Sequence, residues 1–152
     1  MKLSWSIEGQ EQLVRNLTNI GKGIKDWTPA FKEASDRLKK VFSDDVFKTR
    51  GAVINEKWDP LRPRYLAQKM RGGFPADPLV KTGRMRENFQ SIVKTDMAEI
   101  WNSTQYFKYH QSSAPRSKLP RRVMMKLAEN QKQIVVKIFH TYWYKKTKGT
   151  IK

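Results

Sequence analysis

Thr28-Pro29-Ala30-Phe31-Lys32-Glu33-Ala34-Ser35-Asp36-Arg37-Leu38-Lys39-Lys40-Val41-Phe42-Ser43-Asp44-Asp45-Val46-Phe47-Lys48 is the stretch whose reading decides the fold. Phe31, Ala34, Leu38, Val41, Phe42 and Asp45/Val46 recur at helical spacing. Lys32, Glu33, Asp36, Lys39, Lys40 and Asp44 fall on the opposite, solvated face. That is the pattern of an amphipathic helix packed on a core. Thr28 is placed to cap it, and Pro29 suits the first turn because no N–H is needed there.

Upstream, Leu3, Trp5 and Ile7 alternate with Lys2, Ser4 and Ser6, the period of a short half-buried strand. Leu13, Leu17, Ile20 and Ile24 return to helical spacing, weakened at its end by Gly21 and Gly23. Downstream, Gly51, Pro60 and Pro63 make residues 50–63 an irregular connection. A short helix is expected from Pro63 to Met70, stopped by Gly72-Gly73, and a loop over Gly72–Pro78. A helical turn fits Thr82–Phe89. Gln90–Lys94 and Ala98–Asn102 read as an antiparallel hairpin about Thr95-Asp96-Met97. Thr104–Gln111 is a short helix or an extended segment, and Ser112–Pro120 an exposed loop.

The C-terminal segment admits two readings. Met124, Leu127, Gln131, Ile134, Ile138 and Tyr142 form a helical stripe from about Arg121 to Lys146, while β-branched and aromatic residues over 134–144 would also suit a strand. The polar residues Lys126, Glu129, Asn130, Gln133 and Lys137 fall on the opposing face and favour helix. Lys145–Lys152 reads as a frayed basic tail. The expectation is therefore one α+β domain over residues 1–146, with long helices packed on a small antiparallel sheet, and a basic tail over 147–152.

Composition narrows the function. The 152 residues contain no cysteine, which excludes disulfides and thiolate metal sites. The start has no apolar signal region and no stretch approaches a spanning helix, so a soluble, cytoplasmically made protein without membrane partners is expected. The charge is +17, and it is uneven. Residues 114–152 hold 11 basic groups against Glu129 alone, a bias that favours a polyanionic neighbour over a merely solvated face.

Catalysis finds little support. His110 and His140 are 30 residues apart, and neither has a ligand-spaced carboxylate or imidazole, so both read as ordinary packed or surface histidines. There is no G-x-S-x-G elbow. Lys81-Thr82-Gly83 lacks the upstream glycines of a phosphate loop. Asp44 and Asp45, adjacent on a helix, face different directions. No enzyme, metal or cofactor is expected. Candidate contacts with an anionic partner or a neighbouring subunit are Arg116, Lys118, Arg121 and Arg122, together with Lys145, Lys146 and Lys148 beside Tyr142-Trp143-Tyr144. The two rings Tyr142 and Trp143 read as core or interface anchors in preference to base-stacking platforms.

Four ordered segments carry a likeness. They are Trp58-Asp59-Pro60-Leu61 with Tyr65-Leu66-Ala67-Gln68-Lys69, Leu79-Val80-Lys81-Thr82-Gly83-Arg84-Met85-Arg86, Tyr106-Phe107-Lys108-Tyr109-His110-Gln111, and Leu119-Pro120-Arg121-Arg122. Over about residues 40–130 the chain resembles the phage virion morphogenesis (tail completion) family. It departs from that pattern at Phe107, at Ser112-Ser113 where a glycine is expected, and at the doubled Arg121-Arg122. The resemblance implies a virion structural protein, a tail-completion or head–tail joining (neck) subunit, found in the particle and in the host cytoplasm during assembly. It implies a homo-oligomeric ring contacting tail-tube, terminator or connector subunits, with non-specific contact to genomic DNA left open. In it Trp58 and Tyr65 would anchor a loop on the core, Gly83 would permit a tight backbone approach or positive φ between loop and helix, and Tyr106, Tyr109 and His110 would support the connection into the basic loop. The rival readings are a stand-alone basic nucleic-acid-binding protein and a small nuclease using His110 as base.

Overall fold

The computed structural model describes residues 11–13, 15, 24–112 and 119–148. The fold is α+β, a single small domain in class. Its elements in order are α1 (Thr28–Lys40), a π-helical turn (Val41–Asp45), α2 (Val46–Lys48), a 3-10 turn (Ala52–Ile54), α3 (Pro63–Arg71), α4 (Arg84–Glu87), β1 (Phe89–Val93), β2 (Ala98–Asn102), α5 (Phe107–Gln111) and α6 (Glu129–Lys148). The two strands form a two-stranded sheet. The strand expected at residues 2–7 and most of the helix expected from Glu8 lie outside the described residues; Leu13 is helical and buried.

The helix expected from Thr28 to Lys48 forms, with two corrections. Thr28 does not cap it. Asp26 accepts a hydrogen bond from the Thr28 N–H at 3.0 Å, and the Trp27 carbonyl accepts the first helical bond from Phe31 N at 3.0 Å. Hydrogen bonds from Thr28 hold the Asp26 carboxyl below its ordinary range. The second correction concerns register. The π-helical turn adds a residue to one turn, so Val41 and Phe42 are followed on the buried side by Val46 and Phe47, five positions on. Asp45 is thereby left half-exposed, and Phe47 enters the core.

Contacts gather the chain into two compact units, one from segments 1–39, 91–101 and 126–152, the other from 40–90 and 102–125. The first unit centres on an aromatic cluster. Trp27 stacks on Phe139 at 5.5 Å and lies 5.6 Å from Tyr142, while Phe31 meets Phe139 edge-on at 4.9 Å. The Tyr142 hydroxyl donates to the Asp26 carbonyl at 2.9 Å, so a ring that is apolar on its body finds a partner at its polar tip. The hairpin turn closes with Lys94 N donating to Met97 O at 2.7 Å, and Trp27 N donates to Thr95 O at 3.2 Å.

The second unit is built on Phe42, Val46, Phe47, Ile54, Trp58, Met85, Phe89, Phe107 and Val123–Met125, all buried. Phe89 joins Phe42 to Phe107, and Phe47 meets Trp58 edge-on at 5.5 Å. Asp44 is ion-paired to Lys48 and Arg86, and its hydrogen bond from Lys48 is the main cause holding its carboxyl below the usual range.

At the C-terminal end the expected helix is shorter at its start. Residues 121–128 are not helical, and Arg122–Met125, Leu127 and Ala128 are buried. An unbroken buried run of this kind suits an extended chain covered on both sides better than a one-sided helix. Residues 134–144 are helical, not a strand. The buried stripe of α6 is Gln131, Val135 and Phe139, one position round from the expected Ile134 and Ile138. Lys145 to Lys148 belong to this helix, so the tail expected from residue 147 begins no earlier than residue 149, outside the described residues.

Candidate functional site

Three of the four segments that carry the family likeness meet inside the second unit. The loop before Trp58 turns sharply: Arg50, Gly51 and Asn55 all take positive φ (51°, 82° and 58°). The turn closes with Gly51 N donating to Val46 O and Trp58 N to Arg50 O, both at 2.8 Å. This delivers the Trp58 indole to the core, where its Nε1–H donates to the Val123 carbonyl at 2.7 Å. From the other side, Gln111 at the end of α5 clamps the same extended segment. Its Oε1 accepts from Met124 N and Met125 N at 3.0 and 3.1 Å, and its Nε2 donates to Met125 O at 2.6 Å. A primary amide carries both an acceptor oxygen and N–H donors, so this one side chain serves two N–H groups and a carbonyl of the segment.

Arg122 completes the hub. Its backbone N–H donates to the His110 carbonyl at 3.0 Å, and its guanidinium spends Nη2 and Nε on the Asp59 carbonyl at 3.0 and 3.3 Å. Burial pulls the guanidinium down from its ordinary value, with Asp59 and Tyr65 acting in the opposite sense. Trp58-Asp59, His110-Gln111 and Arg121-Arg122 therefore act together as a packing device. Replacing Trp58 with phenylalanine keeps most of the ring but leaves the Val123 carbonyl buried without its donor. A loss of about 1–3 kcal/mol is expected, read as a lowered urea midpoint at unchanged slope.

The expected site residues separate accordingly. Arg122 is inside, only 5% exposed, and is corrected from a surface contact to a structural cation. Arg121 is exposed, with Nε donating to the Gln111 carbonyl at 3.3 Å. Arg116 and Lys118 lie outside the described residues. Lys145, Lys146 and Lys148 are exposed on the last turns of α6, in the other unit. Gly83 takes φ 78° at the start of α4, as the resemblance implies. Tyr65 is 48% exposed, and of the two rings Trp58 is the buried one. Tyr109 is exposed too, whereas His110 is buried.

Two features escaped the reading of the sequence. One is α3, which inverts the usual order. Its buried side chain is Lys69, 5% exposed and donating to the Asp77 carbonyl, while Tyr65 and Met70 (58% exposed) face solvent. Burial lowers the Lys69 ammonium from its ordinary value. The other is a shallow groove on α6 lined by Glu129, Lys132, Gln133, Val136, Lys137 and His140, where Lys137 is exposed as its place on the polar face predicts. Among the described residues, no group of three or more histidines and carboxylates is placed to hold a metal ion, and no helix is long and apolar enough to cross a membrane. Family models, curated proteins and solved structures give no match to this chain.

Proposed function

We propose that this chain is a virion assembly protein of a tailed phage, a tail-completion or head–tail joining subunit that works through subunit–subunit contacts. It would reside at the neck or the head-proximal end of the tail, as a homo-oligomeric ring beside tail or connector proteins. The observation that carries the reading is the joint use of the motif residues. Asp59, His110-Gln111 and Arg121-Arg122, up to 63 positions apart, are tied to one another by hydrogen bonds in the second unit, and Trp58 is tied to the adjoining Val123. The fold brings these positions together, which supports the reading. Helix α3 adds a second support. It exposes Tyr65 and Met70, residue types enriched at subunit contacts, while burying Lys69.

Two measurements test this. The protein is expected in purified particles, and its loss is expected to leave heads and tails unjoined or tails incomplete in electron micrographs. The double change Tyr65→Asp, Met70→Asp is expected to leave the isolated chain folded but to exclude it from particles. Normal infectious particles made without the protein would defeat the proposal. The net charge of +17 favours the rival reading, a free nucleic-acid-binding protein. In that case the chain binds DNA tightly and appears in no particle.

A further inference from the structure

On α6 the side opposite Gln131, Val135 and Phe139 is a continuous outer face. Asn130, Gln133, Lys137, Thr141, Tyr144 and Lys148 follow one another at steps of three and four residues, and all are exposed. His140 and Lys145 flank this line and are exposed as well. At 1.5 Å per residue the face is roughly 27 Å long.

We infer that this face is a docking surface for the phosphate backbone of a nucleic-acid duplex. Every side chain on it is able to donate a hydrogen bond to a phosphate oxygen: three ammonium groups, two amides, two hydroxyls and an imidazole. These are the residue types that position proteins on nucleic-acid backbones. The one carboxylate of this helix is Glu129 at its first position, paired with Lys132 at 3.7 Å, and none follows from Asn130 to Lys148 to repel a polyanion. The face also lacks what an acidic protein partner would need, a desolvated apolar centre of contact. Its one phenol ring is Tyr144, 46% exposed, with the Lys148 ammonium 4.6 Å from its centroid, and the flanking His140 imidazole is engaged by Trp143, ring centroids 5.8 Å apart. A single aromatic so covered is a poor platform for successive unstacked bases, which sets the face apart from single-strand binding surfaces. Helix-dipole complementarity accounts for lysines in the last turn, but not for Lys137 two and a half turns earlier. Lys146 is not part of the face; it lies over the Tyr142 ring, 5.7 Å from the centroid. The inference does not depend on the virion reading, since α6 alone carries it.

The test is fluorescence anisotropy of the full chain with a labelled mixed-sequence DNA duplex of 20 base pairs, titrated at several salt concentrations between 50 and 200 mM. Each phosphate contact contributes about 0.9 to the slope of log K against log salt. Lys137→Gln, Lys145→Gln and Lys148→Gln together are therefore expected to reduce that slope by about 2–3, and to weaken binding at least tenfold at 100 mM. The control removes three charges elsewhere on the first unit, through Lys25→Gln, Lys32→Gln and Arg37→Gln, and is expected to change the slope by less than half as much. All six positions are exposed, and circular dichroism should confirm intact folding. Three results overturn the inference: equal effects of the two triple variants, tighter binding of the single strand than of the duplex, or displacement of the duplex by polyglutamate at equal charge concentration.

Discussion

Replacing Gly51 with alanine is expected to cost about 4 kcal/mol of folding stability, from a left-handed backbone penalty and overpacking against a buried ring. Two effects add. Gly51 has φ 82°, where an L-residue is strained, and an ideal Cβ there would lie 1.9 Å from the Glu56 carbonyl oxygen and 2.7 Å from Trp58 Nε1. The first obstruction is backbone, held by Glu56 N donating to Gly51 O at 3.0 Å, so it cannot rotate away as a flexible side chain would. The loop must open, and opening displaces the indole that satisfies Val123. For a domain worth 5–15 kcal/mol this is a large fraction of the total. Urea unfolding of the two proteins decides it; a loss below about 1 kcal/mol would show that the loop relaxes freely.

Gln111→Met is the second. The substitution nearly preserves volume but leaves Met124 N, Met125 N and Met125 O without the amide that serves all three. An unsatisfied buried polar group costs about 1–3 kcal/mol, so a total of about 3–5 kcal/mol is expected after partial relaxation. The Gln111→Ala variant removes the same bonds and adds a cavity, so it should be less stable still. Equilibrium denaturation compares the series, and hydrogen exchange at Met124 and Met125 gives the local readout. Unchanged protection at those two amides in Gln111→Met would show that they are held by something other than Gln111.

Much of the local structure was legible in the residues. The helix from Thr28, the helix opened by Pro63 and stopped at Gly72-Gly73, and the hairpin from residue 90 to 102 each follow from periodicity and breakers that act within a few positions. The positive φ of Gly83 was legible through the resemblance. The π-helical turn was not, because inserting a residue into a helix is decided by which side chains the core accepts. There Val46 and Phe47 exclude Asp45. Nor could the candidate contacts be sorted. Arg121 and Arg122 are neighbours with the same charge, yet one is solvated and the other spends its guanidinium on the Asp59 carbonyl 63 positions away.

Residues 121–128 mark the boundary most sharply. Alone, Val123-Met124-Met125-Lys126-Leu127-Ala128 has good helix formers and the stripe to match. What holds this segment out of a helix is an indole 65 positions upstream and an amide 14 positions before it, whose hydrogen bonds replace those a helix would have supplied internally. Spacing along the chain determined where helices and turns begin, since those signals are local. Which cation is buried, and which stretch gives up its helix, was decided by partners that only the folded chain brings within reach.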